Sequence, residues 1–147
     1  MDGQPISMDG LAGKVVLIDF WATWCGPCRQ ALPHIRDIAH KYAGPQFVVL
    51  SVSLDKDEDK WKSFVRENGM TWLQYRDGGF NGQMAKQFGV NAIPATFSID
   101  ADGVLEDQHV GDANIEGKLK KMIARAAEMA ARRPQPSLAD SAAPPVP

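Results

Sequence analysis

The chain holds two cysteines, Cys25 and Cys28, in the run Trp24-Cys25-Gly26-Pro27-Cys28. With no other thiol present, this pair can close one small disulfide ring. Cross-link stabilisation grows with the length of loop closed, so a ring this small adds little to the fold. A reactive dithiol–disulfide couple is the better reading. Helical periodicity begins near Pro27, which places Cys25 just before a helix and Cys28 in its first turn. The N-terminal end of a helix carries partial positive charge and unpaired N–H groups, and both favour a thiolate. Cys25 is therefore expected to be the exposed nucleophile and Cys28 the shielded resolving thiol. Attack by Cys25 on a partner disulfide gives a mixed disulfide, which Cys28 then releases. Gly26 permits close approach of a partner's backbone, and Pro27 sits where a helix misses no N–H.

Two further positions carry chemical information. Asp19 interrupts the apolar run Val15-Val16-Leu17-Ile18-Asp19-Phe20. A carboxylate is costly to bury without a role, and burial raises its pKa toward that of a proton acceptor for a thiol. The bland alternative is an Asp19 that faces a wet edge or caps a turn, and the pattern alone leaves both open. Ile93-Pro94 precedes a strand. Only about 5–6% of X–Pro bonds in folded proteins are cis, so the residues alone predict trans.

A Cys-x-x-Cys pair also occurs as half of a zinc site, which needs a second pair or suitably spaced histidines. His34, His40 and His109 are scattered, so no metal site is expected. Two thiolates could still hold a soft ion such as Cu(I). That leaves a copper-carrying binding protein as the rival from another class. The methionines of the last helix read as core.

The elements that must position these residues follow from periodicity. Val15 to Phe20 suits a central strand covered on both faces. A helix follows from about Pro27 to Tyr42, with Ala31, Leu32, Ile35, Ile38 and Ala39 at helical spacing and Pro33 expected to kink it. Phe47 to Leu54 is a second buried strand. Asp55 to Asp59 gives an acidic start to a helix that runs to about Asn68. Thr71 to Tyr75 is a short strand and Gly82 to Phe88 a short helix. Ala95 to Ile99 and Val104 to Val110 pair through the turn Asp100-Ala101-Asp102-Gly103. A last helix covers about Asn114 to Arg132. The order β-α-β-α-β-α-β-β-α implies a mixed sheet between helix layers, an α/β fold. One domain over residues 1–132 is expected, and a Pro/Ala/Ser-rich disordered tail over 133–147.

Composition excludes several classes. The 147 residues, 44% hydrophobic and 23% charged, suffice for one core, and a net charge of −2 gives no strong pull toward nucleic acid or anionic membrane. No apolar run approaches the roughly 18 residues that span a bilayer. The first residues, Met1-Asp2-Gly3-Gln4-Pro5, have neither the basic start nor the apolar stretch of a signal peptide. The expectation is a cytoplasmic protein or a mature or trimmed form of an exported one.

The segment Asp19-Phe20-Trp21-Ala22-Thr23-Trp24-Cys25-Gly26-Pro27-Cys28-Arg29, with Pro33 beyond it, resembles the active-site segment of thioredoxins. Ile93-Pro94-Ala95-Thr96-Phe97 is similar to their cis-proline loop, and Gly111 to a glycine lining the same groove. The resemblance covers about residues 3 to 131. Within the superfamily, Asp9 to Leu17, the Trp-Ala-Thr-Trp-Cys form of the motif and an extra segment of about residues 55–88 before the cis-proline resemble the TlpA/ResA-like thiol-disulfide oxidoreductases. The resemblance implies a thioredoxin-like fold, with Cys25 as nucleophile, Cys28 as resolver and Asp19 as buried acid/base. It implies a cis Pro94 and a docking groove made by Trp24, Gly26, Pro27, Ile93, Pro94 and Gly111. It also implies no cofactor beyond the Cys25–Cys28 disulfide, protein dithiol or disulfide substrates, an upstream electron donor and a monomer. The implied role is that of an extracytoplasmic disulfide reductant, as in cytochrome c maturation or related assembly.

Departures from the pattern carry expectations of their own. Thioredoxins keep a lysine near the buried aspartate on the next strand, where Ser51 stands here, so Asp19 should be tuned differently. ResA-like proteins often place a glutamate between the cysteines, where this chain has Gly26-Pro27. Many have another shortly after the second strand, a role open to Asp55, Asp57 or Glu58. The first strand usual in the family is missing before Asp2-Gly3, so a domain of a longer, exported or anchored protein is expected. Peroxiredoxins share the fold but need a threonine three residues before the nucleophile. Ala22 holds that position, which disfavours a peroxidase.

Overall fold

The computed structural model describes residues 13–111 and 115–132. Nine elements follow in the expected order: β1 (Val15–Trp21), α1 (Gly26–Lys41), β2 (Phe47–Ser53), α2 (Glu58–Glu67), β3 (Leu73–Arg76), α3 (Gln83–Gln87), β4 (Ala95–Ile99), β5 (Leu105–Val110) and α4 (Glu116–Arg132). The proposed tail at 133–147, the residues before Gly13 and the expected start of the last helix at Asn114 lie outside the described residues.

The strands form one mixed sheet in the order β3-β2-β1-β4-β5. β1 is central and pairs with β2 in parallel and with β4 antiparallel. Parallel neighbours need a crossover, and α1 supplies it between β1 and β2. All seven residues of β1 are buried, as an apolar run covered on both faces should be. Strand alternation splits the core in two. Val16, Ile18 and Phe20 pack with Trp61 and Val65 of α2 and Ala85 of α3. Val15 and Leu17 pack with Ile35, Ile38 and Ala39 of α1 and with Leu119, Met122 and Ala126 of α4. Asp19 has the parity of Val15 and Leu17, so it lies on the face that α1 and α4 cover.

Local chemistry explains the borders. The acidic stretch starts its helix later than periodicity suggests, because Asp57 acts as N-cap and accepts the Lys60 N–H, leaving Asp55 outside the helix. Asp77 similarly accepts the Met84 and Ala85 N–H groups at the start of α3. The β4–β5 turn closes through Gly103 at φ +87°, a conformation that favours glycine. Pro33 is exposed and stays inside one continuous helix from Gly26 to Lys41. Phe20, Phe88 and Phe97 meet with ring centroids 5.0 to 5.8 Å apart. Their packing ties the segment that leads into Ile93-Pro94 to the central strand, each pair adding about 1 kcal/mol beyond area burial.

Candidate active site

Cys25 is the N-cap of α1. Its backbone is extended, and its Sγ accepts a hydrogen bond from the Cys28 N–H at 3.2 Å. The two cysteines are joined in a disulfide with their Cα atoms 5.2 Å apart. Cys25 Sγ also lies 3.9 Å from the Ile93 carbonyl oxygen. A disulfide sulfur has no proton to donate, so this is a contact; in the dithiol form the Cys25 S–H can donate across it. Sequence reasoning expected Cys25 in the open and Cys28 under cover. The disulfide form differs: Cys25 is 6% exposed and Cys28 5%. The sulfurs are separated by their partners rather than by accessibility, because only Cys25 Sγ faces both a helix N-terminus and the Ile93 carbonyl.

The Ile93-Pro94 peptide is cis. The residues alone favoured trans, whereas the resemblance implied cis. The Gly111 N–H donates to the Pro94 carbonyl at 2.7 Å, and Gly111 sits at φ +88°, so the glycine loop and the proline loop are joined. Trp24 stands beside the pair and is 59% exposed. Gly26 and Pro27 form the first positions of α1.

Asp19 is buried, 5% exposed, and accepts a hydrogen bond from Ser51 Oγ at 3.0 Å. Burial raises its pKa to about 7, and the Ser51 bond offsets part of that rise. The wet-edge alternative does not hold. The register explains the neighbours: Asp19 pairs with Ser51 on β2 and Thr96 on β4, Ser51 with Gln74 on β3, and Thr96 with His109 on β5. One polar residue from each strand thus lines a single row across the sheet. Ser51 stands beside the aspartate, as expected for the position where thioredoxins carry lysine.

Sequence reasoning missed the brace under the Trp24-Cys25 loop. Asp55 is 2% exposed, and its carboxylate accepts the Thr23 N–H at 3.0 and 3.2 Å, the Thr23 hydroxyl at 2.6 Å and the Ser53 hydroxyl. Arg29 donates to the Thr23 carbonyl at 2.8 Å. The sequence points to Asp55 only alongside Asp57 and Glu58, as a stand-in for a family glutamate. Of the three, Asp57 caps α2 and Glu58 pairs with Lys62. The docking groove is expected at Trp24, Gly26, Pro27, Ile93, Pro94 and Gly111. Two cavities of about 630 and 530 Å³, both lined by Thr23, Trp24, Asp57 and Lys60, include none of Ile93, Pro94 and Gly111. Among the described residues no group of three or more His, Cys, Asp or Glu is arranged to hold a metal ion.

A disulfide at the head of α1, a cis-proline facing it and a buried carboxylate on the strand beneath define a thioredoxin-fold dithiol–disulfide site. A family model described as Redoxin matches residues 1–124. The thiol-disulfide oxidoreductase ResA of Bacillus anthracis is 30% identical over 125 residues, 83% of this chain and 71% of that protein. The thioredoxin-like protein YneN of Bacillus subtilis is 34% identical over 114 residues, 76% of this chain and 65% of that protein. A crystal structure described as the thiol:disulfide interchange protein DsbE from Chlorobium tepidum superposes with a TM-score of 0.71 at 33% identity, covering 82% of this chain and 85% of that one. The chain belongs to the redoxin family and, within the thioredoxin superfamily, to its ResA-like thiol-disulfide oxidoreductases. It is an enzyme whose redox centre is the Cys25–Cys28 disulfide, and its family implies protein thiols or disulfides as substrates.

Proposed function

We propose that this protein is an extracytoplasmic electron donor that reduces disulfides in other proteins, with cytochrome c maturation or a related assembly reaction as its setting. The observation that carries the reading is the placement of Cys25 Sγ at the head of α1, where it accepts the Cys28 N–H and faces the Ile93 carbonyl. A thiolate at that point is stabilised by the helix N-terminus and adjoins the proline loop, along which a partner strand can pair. The names of the ResA relatives support the chemistry, and the Gly26-Pro27 dipeptide supports electron donation.

The steps balance as two-electron exchange. The Cys25 thiolate attacks one sulfur of the partner disulfide; a Cys25–partner bond forms and the partner's S–S bond breaks, releasing a thiolate. Cys28 gives its proton to the Asp19 carboxylate and attacks Cys25 Sγ. The Cys25–Cys28 bond forms, the mixed disulfide breaks and the partner leaves as a dithiol once protonated. The protein ends oxidised and needs an upstream dithiol to reset it. Trp24, Gly26, Pro27, Ile93, Pro94 and Gly111 frame the docking groove.

Cys25→Ser should abolish reduction of insulin, and surviving activity would sink the mechanism. Cys28→Ser should instead accumulate mixed disulfides whose partners name the substrate. Equilibration of the native pair with glutathione reads direction. A potential near the glutaredoxin range of about −200 to −230 mV, or near about −120 mV, would overturn the reductant assignment.

A further inference from the structure

Ser51 has two partners, and their chemistry fixes which way its hydroxyl points. Trp72 Nε1 lies 2.8 Å from Ser51 Oγ, and an indole N–H can only donate. Ser51 Oγ must therefore accept from Trp72. Its own proton is left for the other neighbour at bonding distance, Asp19 Oδ2 at 3.0 Å. A hydroxyl that accepts one hydrogen bond donates a stronger one, so the indole polarises the bond that reaches the carboxylate. The sequence places Trp72 just before the short strand β3, 21 residues from Ser51, with nothing local to suggest the contact.

We propose that Trp72 and Ser51 form a one-way hydrogen-bond chain that sets the proton affinity of Asp19, and that both are positioning residues for the proton step of disulfide exchange. The proposal rests on the reading of Asp19 as proton acceptor for Cys28. Asp19 must be ionised to accept a proton, and its burial works against ionisation. The Ser51 O–H favours the carboxylate, and the Trp72 N–H keeps that O–H from rotating away.

Little else near the site can take over this task. On α1 the groups beside the sheet are the disulfide sulfurs. His34 turns to Glu116, Arg36 to the Asn68 carbonyl and Arg29 to the Thr23 carbonyl. On α4 Leu119, Met122 and Ala126 point inward, while Lys118, Lys120, Lys121 and Arg125 are exposed. β4 contributes the uncharged Thr96, with His109 a further strand away and paired with Asp107. β3 contributes the uncharged Gln74. Beside the chain's outer end lies His40, whose ring meets that of Trp72 edge-on at 6.1 Å and whose Nε2 lies 3.3 Å from Thr71 Oγ1.

The test is a carboxyl-carbon NMR titration of Asp19 in the native protein, Trp72→Phe and Ser51→Ala, alongside the pH profile of insulin reduction for each. Removing the Ser51 donor should raise the Asp19 midpoint by about one to two pH units, the size expected for loss of a hydrogen bond to a charged group. Trp72→Phe should raise it by less, and each variant's lost activity at neutral pH should return at higher pH. The native Trp72 indole N–H resonance should shift with the same midpoint, a readout that needs no variant. An unchanged midpoint in Ser51→Ala, or an indole resonance blind to Asp19, overturns the chain. Asp19→Asn with a native pH profile overturns the proton-acceptor role itself, and the carboxyl titration tells that failure from failure of the chain.

Discussion

Asp55 meets four hydrogen-bond contacts from three donor groups in a nearly sealed site; three come from Thr23 in the loop that presents Trp24 and Cys25, and the fourth, from Ser53 at the end of β2, orients the carboxylate. Removing an acceptor from buried donors costs more than the bonds were worth, because the donors stay desolvated. Asp55→Ala should therefore destabilise the protein by about 3 kcal/mol. It should also slow disulfide exchange roughly tenfold or more, as a nucleophile displaced by a fraction of an ångström does. Thr23→Val removes only the hydroxyl donor and should cost about 1 kcal/mol. Urea unfolding and insulin reduction on the two variants check the contrast; equal small losses would show that the loop holds itself.

Helix α1 carries the redox pair at one end and is fastened at the other. Glu116, at the start of α4, accepts from Lys41 Nζ at 2.8 Å and from the Tyr42 hydroxyl at 2.6 Å. The lysine and then the tyrosine hold its carboxyl at about 2, below the ordinary 4.5. A depressed carboxyl pKa means the unfolded chain binds the proton first. The clamp's contribution is thus complete above about pH 4.5 and is lost as pH falls toward 2. Glu116→Gln should flatten the fall in melting temperature between pH 5 and 2 relative to the native protein; parallel curves would remove the clamp from the account. The clamp shows what the sequence did and did not disclose at this scale. Element order followed from periodicity, since the apolar strand at Val15 and the helical spacing of Leu32, Ile35 and Ala39 are local signals. The partners of those elements were not local. Glu116 meets Lys41 across 75 positions, Asp55 meets Thr23 across 32 and Trp72 meets Ser51 across 21. Cys25, Cys28 and Asp19 stood out because their types conflict with their surroundings. Thr23, Ser51 and Ser53 are ordinary residues until the strand register sets them beside a carboxylate.

Across the molecule, the active site draws on the stability of the fold. Burial lifts Asp19 from 3.8 to about 7, so between those values the folded protein holds a proton that the unfolded chain has released. Its contribution to stability is therefore full below about pH 3.8, declines as pH rises and levels off above 7. The loss is on the order of 4 kcal/mol. Asp19→Asn should be more stable than the native protein at pH 8, with the gain shrinking toward pH 4. Denaturant midpoints at the two pH values decide it, and a native protein as stable at pH 8 as at pH 4 would mean Asp19 ionises without penalty.

The cap of α1 is sulfur where most helices use oxygen. Its acceptor strength is therefore not a constant of the fold. In the disulfide, Cys25 Sγ is a weak, neutral acceptor for the Cys28 amide; when the reduced cysteine gives up its proton to attack, the same sulfur becomes a charged acceptor, and charge-assisted bonds are roughly twice as strong. Each turnover accordingly tightens and then loosens the first turn of the helix. The Cys28 amide becomes a built-in reporter whose hydrogen exchange slows when the protein is charged with electrons and quickens when it has delivered them.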